Sequence, residues 1–137
     1  MCKKENMVDN PLVKKLRIKS GQRMIVINSP PGYMEQLILP EGVELAKELE
    51  GQFDFIHIFV KNISELESFA SKAISALKYD GILWIAYPKQ SSKMITDINR
   101  DVGWDVIDKA GLKGVAQISI NHVWSALRFR PYELVVK

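Results

Sequence analysis

Short apolar runs alternate along this chain with stretches in which apolar residues recur every three or four positions. Three runs, at residues 24–27, 53–60 and 82–88, are apolar almost throughout and rich in β-branched and aromatic side chains. Runs of this kind are typical of strands that are buried on both faces, as in a parallel sheet. The pattern therefore predicts three central strands, and His57, inside the second, is predicted to be a core residue.

Two short helices are predicted on either side of the first strand. Asn10 and Pro11 have the residue types preferred at an N-cap and at the first helical position, and an apolar face follows over 12–18. Residues 33–39 predict the second short helix, which ends before Pro40 because the residue preceding a proline disfavours helical geometry.

Two longer helices are predicted further along the chain. Ser64 and Glu67 form a capping box at the start of the first, whose apolar face consists of Ile63, Leu66, Phe69, Ala70, Ala73, Ile74 and Leu77. The second is predicted over 91–110, with Gly111 as its C′ residue and Trp104 partly exposed on it. Its inward face is predicted to contain Met94, Ile95, Ile98, Val102, Val106 and Ala110.

Residues 43–50 fit two structures. Near-alternation of Val43, Leu45 and Leu49 suits an edge strand, whereas the spacing of Val43, Ala46 and Leu49 suits two helical turns. We favour the strand.

The last two apolar runs, 115–120 and 123–130, are separated by only Asn121 and His122. Because a parallel crossover needs many more residues, these runs either form an antiparallel hairpin or are separated by a tight bend. We expect the hairpin.

The order of these elements defines the fold class. Strands that alternate with helices imply βαβ units, right-handed crossovers and a largely parallel sheet. We expect a three-layer α/β domain with a mostly parallel, Rossmann-like sheet and a C-terminal antiparallel hairpin. With 137 residues the chain is long enough for one such domain, predicted over 11–137, after a flexible basic segment at 1–10.

Composition narrows the function classes. A single cysteine, Cys2, supports neither a disulfide framework nor a metal site, which fits a reducing compartment. No apolar run approaches the roughly 18 residues of a membrane helix, and no signal-peptide core follows the N-terminal charges. We therefore expect a cytoplasmic protein without membrane contact.

Charge is distributed unevenly. The net charge is +3, but residues 1–23 carry +5 and the remaining residues −2. A basic segment of this kind can contact nucleic acid or anionic lipid, or it can simply be solvated. Because no aromatic residues are interleaved with these charges, as they are in single-strand binders, nucleic acid is not the expected partner.

Several segments resemble class I, S-adenosylmethionine-dependent methyltransferases. The segment KKLRIKSGQRMIVIN resembles their entry into the first strand, ALKYDGILWIAYP resembles their fifth strand, and the final hairpin resembles their sixth and seventh strands. Over residues 11–130 the chain resembles more closely a small bacterial family of unknown function with a truncated methyltransferase-like fold. The residues that carry this closer resemblance are INSPPGY, LWIAYPK, TDIN and WSALRF.

The resemblance implies S-adenosylmethionine as the cofactor to consider, and the first turn argues against it. The turn that would receive the cofactor is Ser29-Pro30-Pro31-Gly32. Prolines have no N–H group and their rings occupy the space that a glycine-rich turn leaves bare. Glu48 and Glu50 have about the spacing of an acidic residue that binds ribose hydroxyls, but too few residues follow to build the usual next helix, strand and helix.

Ligands of open parallel sheets bind beyond the carboxyl ends of the strands. Lys89 and Lys93 flank a predicted helix start with Ser91 or Ser92 as its cap, which predicts an anion pocket; alternatively, the serines only cap and the lysines are solvated. Asp97 faces the same crevice or water. The residues expected at this edge are Asn28, Ser29, Gly32, Tyr33, Lys61, Asn62, Lys89, Ser91, Ser92, Lys93 and Asp97; for Tyr33 the alternative is packing beneath the turn.

Three functions remain open on the sequence. We favour a non-catalytic domain that binds a small anionic ligand or a protein partner in the strand-end crevice. One alternative is a reduced S-adenosylmethionine-dependent methyltransferase. The other is a nucleic-acid or assembly adaptor that uses the basic residues of the N-terminal segment 3–23. A sheet shortened on its first-strand side leaves an edge there, which predicts homodimerisation.

Overall fold

The computed structural model describes residues 11–135, so the predicted Asn10 cap and the segment 1–10 lie outside the described residues. The helices are α1 (Pro11–Leu16), α2 (Tyr33–Gln36), α3 (Ile63–Ala76), α4 (Asp105–Lys109) and α5 (Tyr132–Val135). The strands are β1 (Arg23–Ile27), β2 (Glu44–Leu45), β3 (Phe53–Phe59), β4 (Leu77–Pro88), β5 (Leu112–Ser119) and β6 (Trp124–Pro131). None of these helices is long and apolar enough to cross a membrane.

The six strands form one sheet in the order β2-β1-β3-β4-β6-β5. The first four are parallel, β4 pairs antiparallel with β6, and β6 pairs antiparallel with β5. The predicted α/β fold class with a C-terminal antiparallel hairpin is therefore confirmed. Because β1, β3 and β4 are parallel neighbours, their carboxyl ends lie at one edge of the sheet, where ligands of open α/β sheets bind.

Two apolar cores lie on opposite faces of the sheet, which accounts for three layers. One core packs α3 and α4 against Ile56, Ile58 and Leu83. The other packs α1 and α2 against Phe55, Phe59 and Trp84. Side chains in a strand alternate between faces, so β3 and β4 supply both cores, as their unbroken apolar pattern predicted.

The prediction of one helix over 91–110 is wrong. Residues Gln90–Ser92 form one 3₁₀ turn, and the only α-helix within the predicted range is α4. Ile95 is fully exposed and Val102 is half exposed. The side chains of Thr96 and Asn99 accept hydrogen bonds from backbone N–H groups two and three residues ahead, and such local bonds compete with a helix.

Left-handed backbone also interrupts this segment, at Lys93 (φ 69°) and Gly103 (φ 110°). A Cβ at Gly103 would lie 2.8 Å from a carbon of Ile98. The packing at this turn therefore leaves no room for a larger residue. Trp104, predicted to be partly exposed, is buried, and its indole N–H donates to the carbonyl of Asn99 at 2.8 Å. The end of α4 is as predicted, with Gly111 left-handed at φ 86°.

The predicted capping box is displaced by two residues. The N-cap of α3 is Asn62, whose side chain accepts from the N–H of Glu65 at 2.8 Å. Glu65 in turn accepts from the N–H of Lys61 at 2.7 Å. The pair Asn62 and Glu65 has the same three-residue spacing as Ser64 and Glu67, and tertiary contacts select the first.

Residues 43–50 contain only the two-residue β2, which pairs parallel with β1 through Glu44 and Leu45. The strand assignment is therefore confirmed for two residues. Both are exposed, as expected for the edge of a sheet.

Candidate functional site

The turn after β1 is a left-handed bend. Asn28 has φ 62° and Gly32 has φ 82°. Gly32 is exposed, and a Cβ placed there would meet no atom within 4 Å, so its glycine is required by backbone conformation and not by close packing. Ser29 lies half-buried beside it.

Asn28 joins the ends of two strands. Its side-chain amide donates to the carbonyl of Phe59 at 2.9 Å and, more weakly, to Glu65 at 3.4 Å. The structure therefore brings Asn28 together with Lys61 and Asn62, as the position of all three at strand ends predicted.

Asp97 closes this region from a different segment. Its carboxylate accepts from the N–H of Ile63 at 2.8 Å, and Thr96 donates to the carbonyl of Lys61 at 2.5 Å. Asp97 thus faces the strand ends, one of its two predicted orientations, and serves as a cap. The N–H groups of Ile63 and Glu65, in the first turn of α3, are thus bonded to the chain's own side chains. Helix starts bind anions through free N–H groups, so these two groups are already used.

Tyr33 is a core residue. It is 1% exposed, and its hydroxyl and Nε2 of His57 share a hydrogen bond of 2.9 Å. Burial raises the pKa of Tyr33, and burial lowers the pKa of His57 to about 3, so both groups are neutral at pH 7. Tyr33 therefore packs beneath the turn, which was the alternative to a surface ligand role.

A cleft of about 380 Å³ lies at the carboxyl end of β4, between the 89–101 segment and the final hairpin. It is lined by Tyr87, Lys89, Gln90, Ser91, Asn99, Arg100, Asp101, Gln117 and Ser125. The cleft contains two of the predicted site residues, Lys89 and Ser91. Its walls carry two cations against one carboxylate.

Polar contacts hold the walls of this cleft. The ammonium group of Lys89 donates to the Ser119 hydroxyl at 2.7 Å, and the amide of Gln117 donates to the Tyr87 hydroxyl at 2.8 Å. Burial raises the pKa of Tyr87, so its hydroxyl stays protonated at neutral pH. The cleft offers ammonium, guanidinium, amide and hydroxyl donors, which together suit an anionic ligand.

The predicted helix start at Ser91 and Ser92 does not exist. Ser92 donates to the carbonyl of Lys89 at 2.6 Å and accepts from the N–H of Met94 at 3.3 Å, so it stabilises a turn. Lys93 is exposed and left-handed at φ 69°. The anion pocket predicted from a helix dipole and two lysines is therefore wrong in its mechanism, and Lys93 is not among the residues that line the cleft.

Sequence reasoning missed Glu65, Arg100 and Gln117. The Asn62–Glu65 spacing is a capping-box signal that could have identified Glu65. Arg100 lay on a helix that does not form, and Gln117 reaches the cleft only because β5 pairs with β6. No local pattern identifies these last two.

The turn after β1 does not fit the glycine-rich binding mode of S-adenosylmethionine. Pro30 and Pro31 have no N–H group, and the N–H of Tyr33 donates to the Pro30 carbonyl at 3.1 Å. Glu48 and Glu50, expected to bind ribose, are exposed in an irregular segment beyond β2.

Comparison with known proteins assigns the fold. No family model matches the chain, and no relative is found among curated sequences. Ribosomal protein L11 methylase from Lactobacillus delbrueckii subsp. bulgaricus matches with a TM-score of 0.59 at 10% identity, over 87% of this chain and 74% of that one. A SAM dependent methyltransferase from Aquifex aeolicus matches with a TM-score of 0.55 at 15% identity, over 93% and 96%.

A third similar structure is the N-methyltransferase NodS from Bradyrhizobium japonicum WM9 in complex with S-adenosyl-l-homocysteine. It matches with a TM-score of 0.53 at 15% identity, over 92% of this chain and 90% of that one. The chain therefore has a shortened class I methyltransferase-like fold, as the sequence resemblance implied. At these identities the likeness concerns the fold, and function is a separate question.

Proposed function

We propose that this chain is a small-molecule-binding protein built on a shortened methyltransferase fold, and that the cleft at the carboxyl end of β4 binds an anionic ligand. The observation that carries the proposal is that Lys89, Arg100 and Ser91 all line one cleft of about 380 Å³. Ligands of open α/β sheets bind outside the carboxyl ends of the strands, and the cleft has this position.

The charges of the cleft support an anion. Lys89 donates to a neutral hydroxyl, and no carboxylate of residues 11–135 forms an ion pair with it. Arg100 contacts Asp101 at 3.3 Å, but both side chains are more than half exposed, and exposed pairs of this kind contribute little. Either cation can therefore turn to a phosphate or carboxylate group at small cost.

S-adenosylmethionine-dependent methyl transfer is the second candidate function. The fold shared with three methyltransferases supports it over a non-catalytic role. The cofactor supplies an activated methyl group in such enzymes. In this chain it would need a binding mode other than a glycine-rich turn, because Pro30, Pro31 and Tyr33 offer no free N–H group there.

Isothermal titration calorimetry tests the first proposal. Inorganic phosphate, citrate and succinate are titrated into the wild-type protein, Lys89→Gln, and the matched control Lys72→Gln, which removes the same charge from the exposed face of α3. We expect binding of at least one anion, weakened about tenfold or more in Lys89→Gln since a charge-assisted hydrogen bond is lost, and unchanged in Lys72→Gln. Equal affinities in the three proteins would overturn the site.

The same instrument tests the methyltransferase candidate. S-adenosylmethionine and S-adenosylhomocysteine are titrated into the wild-type protein, and any binding supports the candidate. If neither compound produces heat at concentrations where the anions do, methyl transfer is rejected while the anion site stands.

A further inference from the structure

A second basic site lies on the opposite face of the sheet from the cleft. Arg128 on β6 is directly paired with Trp84 on β4, whereas the cleft residue Tyr87 is paired with Ser125. Residues directly opposite each other in an antiparallel pair point to the same face. Since Trp84 belongs to the core beneath α1 and α2, Arg128 lies on that face.

The end of α1 brings Arg17 to the face of the sheet on which Arg128 lies. The indole N–H of Trp84 donates to the carbonyl of Leu16 at 2.8 Å, which holds the last residue of α1 against the sheet. The next residue, Arg17, is exposed and left-handed, with φ 67°. Glycine is preferred at this position after a helix, so Arg17 has a backbone conformation that arginine disfavours.

Within the described residues, the two arginines have no carboxylate partner. Between residues 11 and 135, neither Arg17 nor Arg128 forms an ion pair, and the Nε atom of Arg128 is buried without a hydrogen-bond acceptor among these residues. The nearby Asp80 is bonded through both of its oxygens to Arg130, at 2.9 and 2.8 Å.

Burial and then repulsion from Arg17 and Arg130 lower the pKa of Arg128, an effect that Asp80 only partly opposes. Within residues 11–135, the charged groups that act on Arg128 are therefore two cations and one carboxylate.

We propose that Arg17 and Arg128 bind a phosphate group. A guanidinium group presents parallel N–H donors whose spacing matches the oxygens of a phosphate, and two such groups on neighbouring elements can hold one phosphate between them. The phosphate can belong to a free phosphate ester or to a nucleic-acid backbone, and both offer the same non-bridging oxygens. This site is independent of the cleft and does not rest on the function proposed for it.

Phosphate titrations of single variants test the site. The proteins are the wild type, Arg128→Gln, Arg17→Gly, Lys89→Gln and the control Lys72→Gln, and the ligands are inorganic phosphate and a short oligouridylate, at constant ionic strength. The readout is the change in backbone amide NMR shifts of residues 16–18 and 127–129. We expect these shifts to move in the wild type and both lysine variants, with affinity reduced about tenfold or more in the two arginine variants.

Arg17→Gly separates binding from folding. Because glycine is favoured in the left-handed conformation, this variant should melt at a temperature equal to or above that of the wild type while it loses phosphate affinity. Response to inorganic phosphate supports a phosphate-ester ligand, and response to oligouridylate alone supports a nucleic-acid backbone. Affinities unchanged in both arginine variants, or amide shifts that do not respond to either ligand, would overturn the proposal.

Discussion

The hydroxyl of Tyr33 and the Nε2 atom of His57 lie 2.9 Å apart in the interior, and their hydrogen bond joins the turn after β1 to the centre of the sheet. The Tyr33 ring also meets the edge of the Phe59 ring, with centroids 4.7 Å apart. Both polar residues are therefore part of an aromatic core.

Replacing Tyr33 with phenylalanine should destabilise the protein by about 1–3 kcal/mol, because the buried Nε2 of His57 loses its partner. Urea unfolding monitored by tryptophan fluorescence measures the change. Tyr132→Phe is the control, since Tyr132 is half exposed and its substitution should change stability by less than about 0.5 kcal/mol. Equal effects of the two substitutions would show that the buried hydrogen bond contributes nothing.

His57 should make stability depend on pH. Burial lowers its pKa in the folded state from 6.5 to about 3, so between these values the unfolded state binds a proton that the folded state does not. The free energy of unfolding therefore has its full value above about pH 6.5. It falls by roughly 1.4 kcal/mol for each pH unit below that value. Unfolding free energies between pH 7 and 4.5 measure this slope.

A His57→Leu variant provides the comparison, because it has no group that titrates at this position. Its stability should be nearly flat over the same pH interval. The lowered pKa values of Asp54, from its bond to the Arg23 backbone, and of Asp80, from Arg130, act only at lower pH. An identical slope in the variant and the wild type would refute the role of His57.

Asp97→Ala should remove about 1 kcal/mol of stability by leaving the Ile63 N–H at the start of α3 without its acceptor. Asp97→Asn keeps a side-chain oxygen and should retain most of that stability. Because Asp97 acts as a cap, both variants should bind cleft anions as the wild type does in calorimetry. A loss of anion affinity at unchanged stability would assign Asp97 to ligand binding instead.

Trp84→Phe should cost about 1–3 kcal/mol, because the buried carbonyl of Leu16 loses the indole donor 2.8 Å away. The damage should concentrate at the end of α1, so amide hydrogen exchange of Ile18, which donates to Val13, should accelerate more than that of β3. Uniform acceleration across the domain would show that the indole bond does not hold α1 in particular.

The segment 91–104 shows why part of the candidate site could not be predicted. Its apolar residues have helical spacing, yet Ile95 is fully exposed. The spacing of apolar residues shows only which of them can share a helical face. Thr96 and Asn99 instead accept hydrogen bonds from nearby backbone N–H groups, and Gly103 adopts a left-handed turn, and apolar spacing predicts neither. As a result Lys89 and Ser91 line the cleft at the end of β4, but the helix start predicted between Lys89 and Lys93 is absent.

The individual helices and strands named below could be predicted from the sequence, whereas contacts between residues of different elements could not. The three buried strands, the long helix and the hairpin follow from side-chain periodicity, because each element must bury its own apolar face. The contacts of Asn28 with Phe59 and of Asp97 with Ile63 depend on sheet order and register, which join residues distant in sequence.

The sequence by itself therefore determined the fold class, the strand-end location of the candidate site and the proline-blocked turn, since these depend on local hydrophobic pattern and backbone chemistry. Only the tertiary structure decided which donors converge on the cleft, which N–H groups are already bonded, and that Arg128 lies on the face of the sheet against which α1 packs. Those outcomes depend on through-space contacts and burial, which no residue shows until its neighbours from other strands are in place.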